Sequence, residues 1–166
     1  MTSTLLRSTF GNPYFLFGIR VILGFIFIFA AIEKIAQPEE FAKAILNYRL
    51  LAVPAVNIFA IILPWVELLA GLFILLGLLV RGSSFLLTFL LSLFGLAIAI
   101  SLVRGLDISC GCFGTSDVRK VGWTTLGEDI LMLVGSLLLY YFPNSSATLE
   151  AYLRKALSVT EYKPSV

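Results

Sequence analysis

The chain has 166 residues, of which 59% are hydrophobic and 13% charged, with a mean hydropathy of +0.99 and a formal net charge of +2. Such values lie far outside the range of soluble domains and describe a membrane protein, and the lack of any lysine or arginine cluster excludes nucleic-acid binding. Histidine is absent, which removes bis-histidine haem, a Cys/His zinc site and histidine as a general base.

Four apolar runs, at residues 14–32, 56–80, 83–103 and 124–142, each approach the roughly 20 residues that a bilayer-spanning helix needs. They predict an all-α fold: a four-helix transmembrane bundle with short interfacial helices after the first span and at the C-terminus. The whole of 1–166 reads as one membrane domain, with 143–166 as an amphipathic tail.

Residues 1–13 are a polar tether ending in Asn12-Pro13. The first run is too long for a signal-peptide core and contains Arg20, so it is expected to be a span. Glu33-Lys34 closes it. Gln37-Pro38-Glu39-Glu40 then opens a new helix, with proline in the first turn and acids at the positive end of the dipole. Phe41, Ala44, Ile45 and Tyr48 share one face of that helix, which is expected at the membrane interface.

Pro54 marks the turn into the second span, and Pro64 is expected to kink it. Arg81-Gly82-Ser83-Ser84 is read as a tight turn into the third span, Phe85 to Val103, which carries no charge. Trp123 anchors the start of the fourth span and Tyr140-Tyr141 its far end. Leu149, Tyr152, Leu153, Ala156 and Leu157 form the apolar face of the tail.

Arg20 and Glu67 are the charges deepest in the apolar runs, where insertion costs roughly 2.5 to 3.5 kcal/mol each. At 1.5 Å rise per residue, Arg20 lies about 9 Å in from one face of a 30 Å core. Glu67 lies about 16 Å in from the other. The depth difference of about 5 Å predicts an ion pair, serving either to fix helix register or to line a polar pocket for a cofactor head group or a proton path.

The only two cysteines, Cys110 and Cys112, lie in the loop Asp107-Ile108-Ser109-Cys110-Gly111-Cys112-Phe113-Gly114. Two residues apart in an extended chain their α-carbons are up to roughly 7 Å distant, whereas a disulfide takes about 4.4 to 6.8 Å. The backbone must therefore curl, and Gly111 and Gly114 supply that freedom. A small strained ring has a raised reduction potential, which suits a bond that is made and broken. The same two thiolates suit copper(I), and two copies across a dimer could hold a four-sulfur zinc site.

With four spans the cysteine loop shares a face with Glu33, Lys34, the interfacial helix, Glu128 and Asp129. Glu128 or Asp129 is the nearest candidate to accept a thiol proton, against the simpler role of compensating the helix dipole. Arg7, Arg81, Arg154, Lys155 and Lys163 fall on the face of the termini. Lys34, Lys43, Arg49, Arg104, Arg119 and Lys120 fall on the other, so charge does not decide the orientation.

The arrangement of Arg20, Gly24, Lys34 and Pro38, then Pro64-Trp65-Val66-Glu67-Leu68-Leu69-Ala70-Gly71, then Cys110-Gly111-Cys112-Phe113-Gly114 resembles the DoxX-like superfamily and its methylamine-utilisation MauE branch, over about residues 14–142. The resemblance implies a bacterial inner-membrane protein tied to disulfide chemistry outside the cytoplasm, with the cysteine loop extracytoplasmic. It implies a thiol-disulfide role for Cys110 and Cys112, with a periplasmic thiol protein as partner and, by analogy with other relatives, a quinone as acceptor. The rival expectations are a metal or sulfur carrier, and a non-enzymatic assembly subunit of a larger membrane complex.

Overall fold

The computed structural model describes residues 12–49, 52–105 and 122–142. The cysteine pair and the C-terminal tail lie outside the described residues. Five α-helices are described and no strand among them: α1 Pro13–Ala36, α2 Pro38–Asn47, α3 Val53–Leu76, α4 Val80–Val103 and α5 Trp123–Tyr141.

Local chemistry sets the helix ends. Asn12 caps α1, its side-chain oxygen accepting from the Tyr14 amide at 3.1 Å, with Pro13 at the first helical position where its missing N–H is no loss. Pro38 ends α1 because the residue before a proline is pushed out of the helical region, and it starts α2, where Glu39 and Glu40 occupy the first turn. Gly77 terminates α3 in the left-handed conformation at φ 72°. The Leu78 amide donates back to the Phe73 carbonyl at 2.8 Å, a Schellman closure that leaves only Gly77, Leu78 and Leu79 between α3 and α4. The turn thus falls earlier than expected: Arg81 to Ser84 already lie within α4.

α1, α3 and α4 are long and apolar enough to cross a membrane, which makes this a multi-pass membrane protein. The fourth expected span, α5, is not in that set, because Thr124, Thr125, Glu128 and Asp129 make its first two turns polar.

Burial is inverted relative to a soluble protein. Phe25, Phe29, Ile58, Ile62, Trp65, Leu69 and Phe89 are exposed, whereas Arg20, Lys34, Glu67, Ser84, Ser101, Thr125, Asp129 and Ser136 are buried. Lipid solvates the former, and the latter must find partners among the helices. Between them lies an apolar core of Leu16, Leu23, Phe27, Ile74, Leu87, Leu91, Met132 and Leu139.

α1 and α3 run antiparallel and touch through glycine. A β-carbon on Gly24 would lie 2.9 Å from Leu75 Cβ and 3.1 Å from the Gly71 carbonyl oxygen, so the two backbones meet at a distance no larger residue allows. α4 and α5 are joined by a 2.8 Å hydrogen bond between the Thr88 and Ser136 hydroxyls. The short helix expected after the first span is present as α2, with Phe41, Ala44 and, at its C-cap, Tyr48 buried.

Candidate functional site

Lys34 occupies the last turn of α1, where its charge also offsets the helix dipole. Its side chain is 1% exposed and donates to both carboxylate oxygens of Glu67 on α3, at 2.9 and 2.7 Å. The ammonium lies 5.0 Å from the Phe41 ring of α2 and 5.4 Å from the Phe94 ring of α4. Two π faces thus add to the attraction in a buried site.

Asp129 of α5 is 3% exposed, and no hydrogen bond or salt bridge joins it to another described residue. Gly95 of α4 makes the room for it: a β-carbon there would lie 2.5 Å from Asp129 Oδ2. Lys34, Glu67 and Asp129 together line a cavity of about 20 Å³, walled by Ile26, Phe27, Ala30, Leu91 and Phe94. That is enough for one water molecule. Tyr48, at the end of α2, faces the same acid, and its phenol is held above its ordinary value, first by burial and then by the negative charge of Asp129.

Beside this polar cluster lies a larger apolar groove of about 260 Å³. α2 contributes Phe41, Ala44 and Ile45, α3 Phe59 and Leu63, and α4 Leu90, Leu93, Phe94 and Ala97, with Tyr48 at one end. Phe94 borders both spaces. Phe59 and Leu93 are half-exposed at its rim, so the groove opens toward lipid. Ala97 lies eight residues before Gly105, about 12 Å along α4, which places the groove at the end of the helices from which the chain leaves for the cysteine loop.

The expected Arg20–Glu67 ion pair is replaced by Lys34–Glu67. Arg20 is buried in α1 with its guanidinium 5.2 Å from the Phe17 ring, fourteen residues and about 21 Å along the helix from Lys34. Equal depth had been inferred by counting from helix ends assumed level with opposite faces. In the structure Gly71 packs against Phe27 and Ile28, so Glu67, one turn before Gly71 in the antiparallel α3, lies toward the Lys34 end of α1. Arg20 and Glu67 therefore do not share a pocket.

The two neighbouring acids of α5 separate: Glu128 is exposed and Asp129 turns inward. Sequence reasoning read Lys34 only as a helix end. Its spacing of seven from Phe27 and fourteen from Arg20, both buried, was the available signal that it continues the inward stripe. Nothing in the sequence points to Gly95 as the hollow for Asp129.

An inverted, all-helical architecture enclosing an ion pair and a second carboxyl defines a multi-pass membrane protein with a polar interior site. The chain belongs to the MauE family: the family model described as methylamine utilisation protein MauE matches residues 12–142. It is similar to the methylamine utilization protein MauE of Methylorubrum extorquens, 34% identical over 112 residues, covering 67% of this chain and 60% of that protein. The Paracoccus denitrificans protein of the same name is 30% identical over 122 residues, 73% of this chain and 66% of its own length. A third relative so named, from Methylophilus methylotrophus, is 38% identical over 84 residues, 50% of this chain and 44% of its own. The chain thus spans less than two thirds of the length of each of these curated relatives. No solved structure matches it.

Proposed function

We propose that this protein is a membrane thiol-disulfide redox protein accessory to methylamine utilisation, in which Cys110 and Cys112 cycle between dithiol and disulfide. The single observation that carries this reading is the apolar groove beside the helix ends that bear the cysteine loop. It allows a lipid-soluble electron acceptor and a soluble thiol partner to meet the same pair from two directions. Cys110 is five residues from Gly105, up to about 17 Å of extended chain, so the loop can reach the rim of the groove.

A soluble partner's dithiol reduces the Cys110–Cys112 disulfide by exchange, through a mixed disulfide, and leaves with a disulfide of its own. Re-forming the bond between Cys110 and Cys112 releases two electrons and two protons. A quinone is the acceptor whose chemistry takes up both. The groove suits its ring and tail, because the walls are aromatic and aliphatic. Phe41 and Phe94 would bind and orient the acceptor, and α2 would shield it from water.

In this reading α5 is the fourth crossing, since 19 residues make about 28 Å of helix. The bundle sits in the bacterial inner membrane with both termini cytoplasmic and the cysteine loop in the oxidising compartment. The same reading includes kinship with the DoxX-like superfamily, on the arrangement of Arg20, Gly24, Lys34 and Pro38 with the segments Pro64 to Gly71 and Cys110 to Gly114.

The test is a redox titration of Cys110 and Cys112 in purified protein by thiol-labelling mass shift, with metal analysis on the same sample. A reversible two-electron midpoint between about −300 and −120 mV, the range of known exchange catalysts, is expected. Thiols that never close, or that purify with bound metal, overturn the proposal in favour of an assembly subunit or a metal carrier.

A further inference from the structure

The cluster of Lys34, Glu67 and Asp129 contains two acids and one base, all at least 97% buried. Lys34 gives both of its short bonds to Glu67, so this pair is neutral and satisfied. Asp129 is left over. A second buried carboxylate beside a base already bonded to Glu67 has no counter-charge of its own to offset its desolvation, and such groups in membrane proteins take a proton or mark a proton route. The groups facing it are Lys34 from α1, Tyr48 at the end of α2 and Glu67 from α3; α4 presents Phe94 and Gly95, which carry no charge.

The geometry also gives the site a direction. One turn from Asp129 toward the start of α5 is Thr125, buried and polar. Tyr48 lies on the same side, and the helix begins six residues from Asp129, about 9 Å away. One turn the other way is Met132, which with the cavity walls Phe27 and Leu91 belongs to the apolar core. The polar neighbours of Asp129 thus lie toward the start of α5 and the apolar ones toward its far end.

We infer that Lys34, Glu67 and Asp129 form a proton-exchange site inside the membrane, in which Asp129 takes up one proton from the face of α2 and gives it back to that same face. The step is Asp129–COO⁻ plus H⁺ giving Asp129–COOH, and the Lys34–Glu67 pair takes no part in it. It does not depend on the thiol reading, since no cysteine takes part.

The test is pH-difference infrared spectroscopy of the full chain reconstituted in liposomes. The wild type should show one protonated-carboxyl C=O band that titrates reversibly, sensitive to deuterium exchange. Asp129→Asn should abolish it, while Glu128→Gln and the double variant Cys110→Ser/Cys112→Ser leave it in place. Tyr48→Phe should shift its midpoint, which keeps the assignment testable if Asp129→Asn does not fold. Lys34→Met should add a second carboxyl band, because Glu67 then lacks its counter-ion. A band that survives Asp129→Asn, the absence of any titrating carboxyl, a midpoint indifferent to Tyr48→Phe, or displacement of the band by sodium or potassium at fixed pH would each overturn the proposal.

Discussion

Glu67→Gln tests the central pairing. The substitution keeps the size of the side chain and one acceptor oxygen but removes the charge that Lys34 faces at 2.7 and 2.9 Å. Lys34 is 1% exposed and cannot turn to water. Losing one partner of a buried pair costs about 3 to 5 kcal/mol, most of it the burden of the orphaned charge. Lys34→Met should cost a similar amount, by orphaning Glu67. The double variant should be much less destabilised than the sum, because a neutral pair of comparable volume leaves no charge behind, and the cycle should return a coupling energy of about 2 kcal/mol or more. Reversible unfolding in mixed micelles, followed by far-UV circular dichroism, measures each term. A second cycle on Arg20 and Glu67 is the control: Gly71 packs against Phe27 and Ile28, which sets Glu67 roughly 15 Å along the axis from Arg20, so they should be additive within about 0.5 kcal/mol. Additivity for Lys34 and Glu67, or strong coupling for Arg20 and Glu67, would refute the register of α1 against α3 described above.

Gly24→Val should force α1 from α3, since even a β-carbon meets Leu75 at 2.9 Å, and should cost about 1 to 3 kcal/mol or more in the same assay. Gly127→Ala, on an exposed face of α5 with nothing within 4 Å of the new methyl, should stabilise the protein by about 0.5 to 1 kcal/mol through helix propensity. Tyr48 ionises less readily folded than unfolded, so its contribution is complete below the unfolded value of about 10 and declines as pH rises past it. Alkaline unfolding curves of wild type and Tyr48→Phe should therefore diverge only above about pH 10. Ala44→Phe would fill the groove between α2 and α4; photolabelling by a lipid-soluble quinone should fall while the cysteine midpoint is unchanged, and undiminished labelling would remove the groove from the acceptor reading.

The elements were largely legible because their causes are local. A long apolar run in a chain without water has only the helix to satisfy its backbone, and Asn12, Pro13, Pro38 and Gly77 punctuate those runs by their own stereochemistry. The short helix α2 could be read from Phe41, Ala44 and Tyr48, whose spacing holds wherever the helix lies. The turn before α4 was misplaced because Arg81 to Ser84 look like loop residues, while the chain actually turns at Gly77, where a left-handed residue closes the last carbonyls of α3.

What the sequence determined by itself was therefore the set of helices, their membrane setting and the presence of buried charges that needed partners. The partners were decided by tertiary structure alone. Position along one helix follows from 1.5 Å per residue, but the offset of one helix against another depends on where their backbones can touch. Here that is Gly24 against Gly71 and Leu75. That contact brings Glu67 within reach of the Lys34 side chain and leaves Arg20 several turns away along α1, about 21 Å from Lys34. In the same way Glu128 and Asp129 differ by about 100° around α5. Only the packing against α4, with the hollow at Gly95, selects which of the two acids enters the interior of the helix bundle.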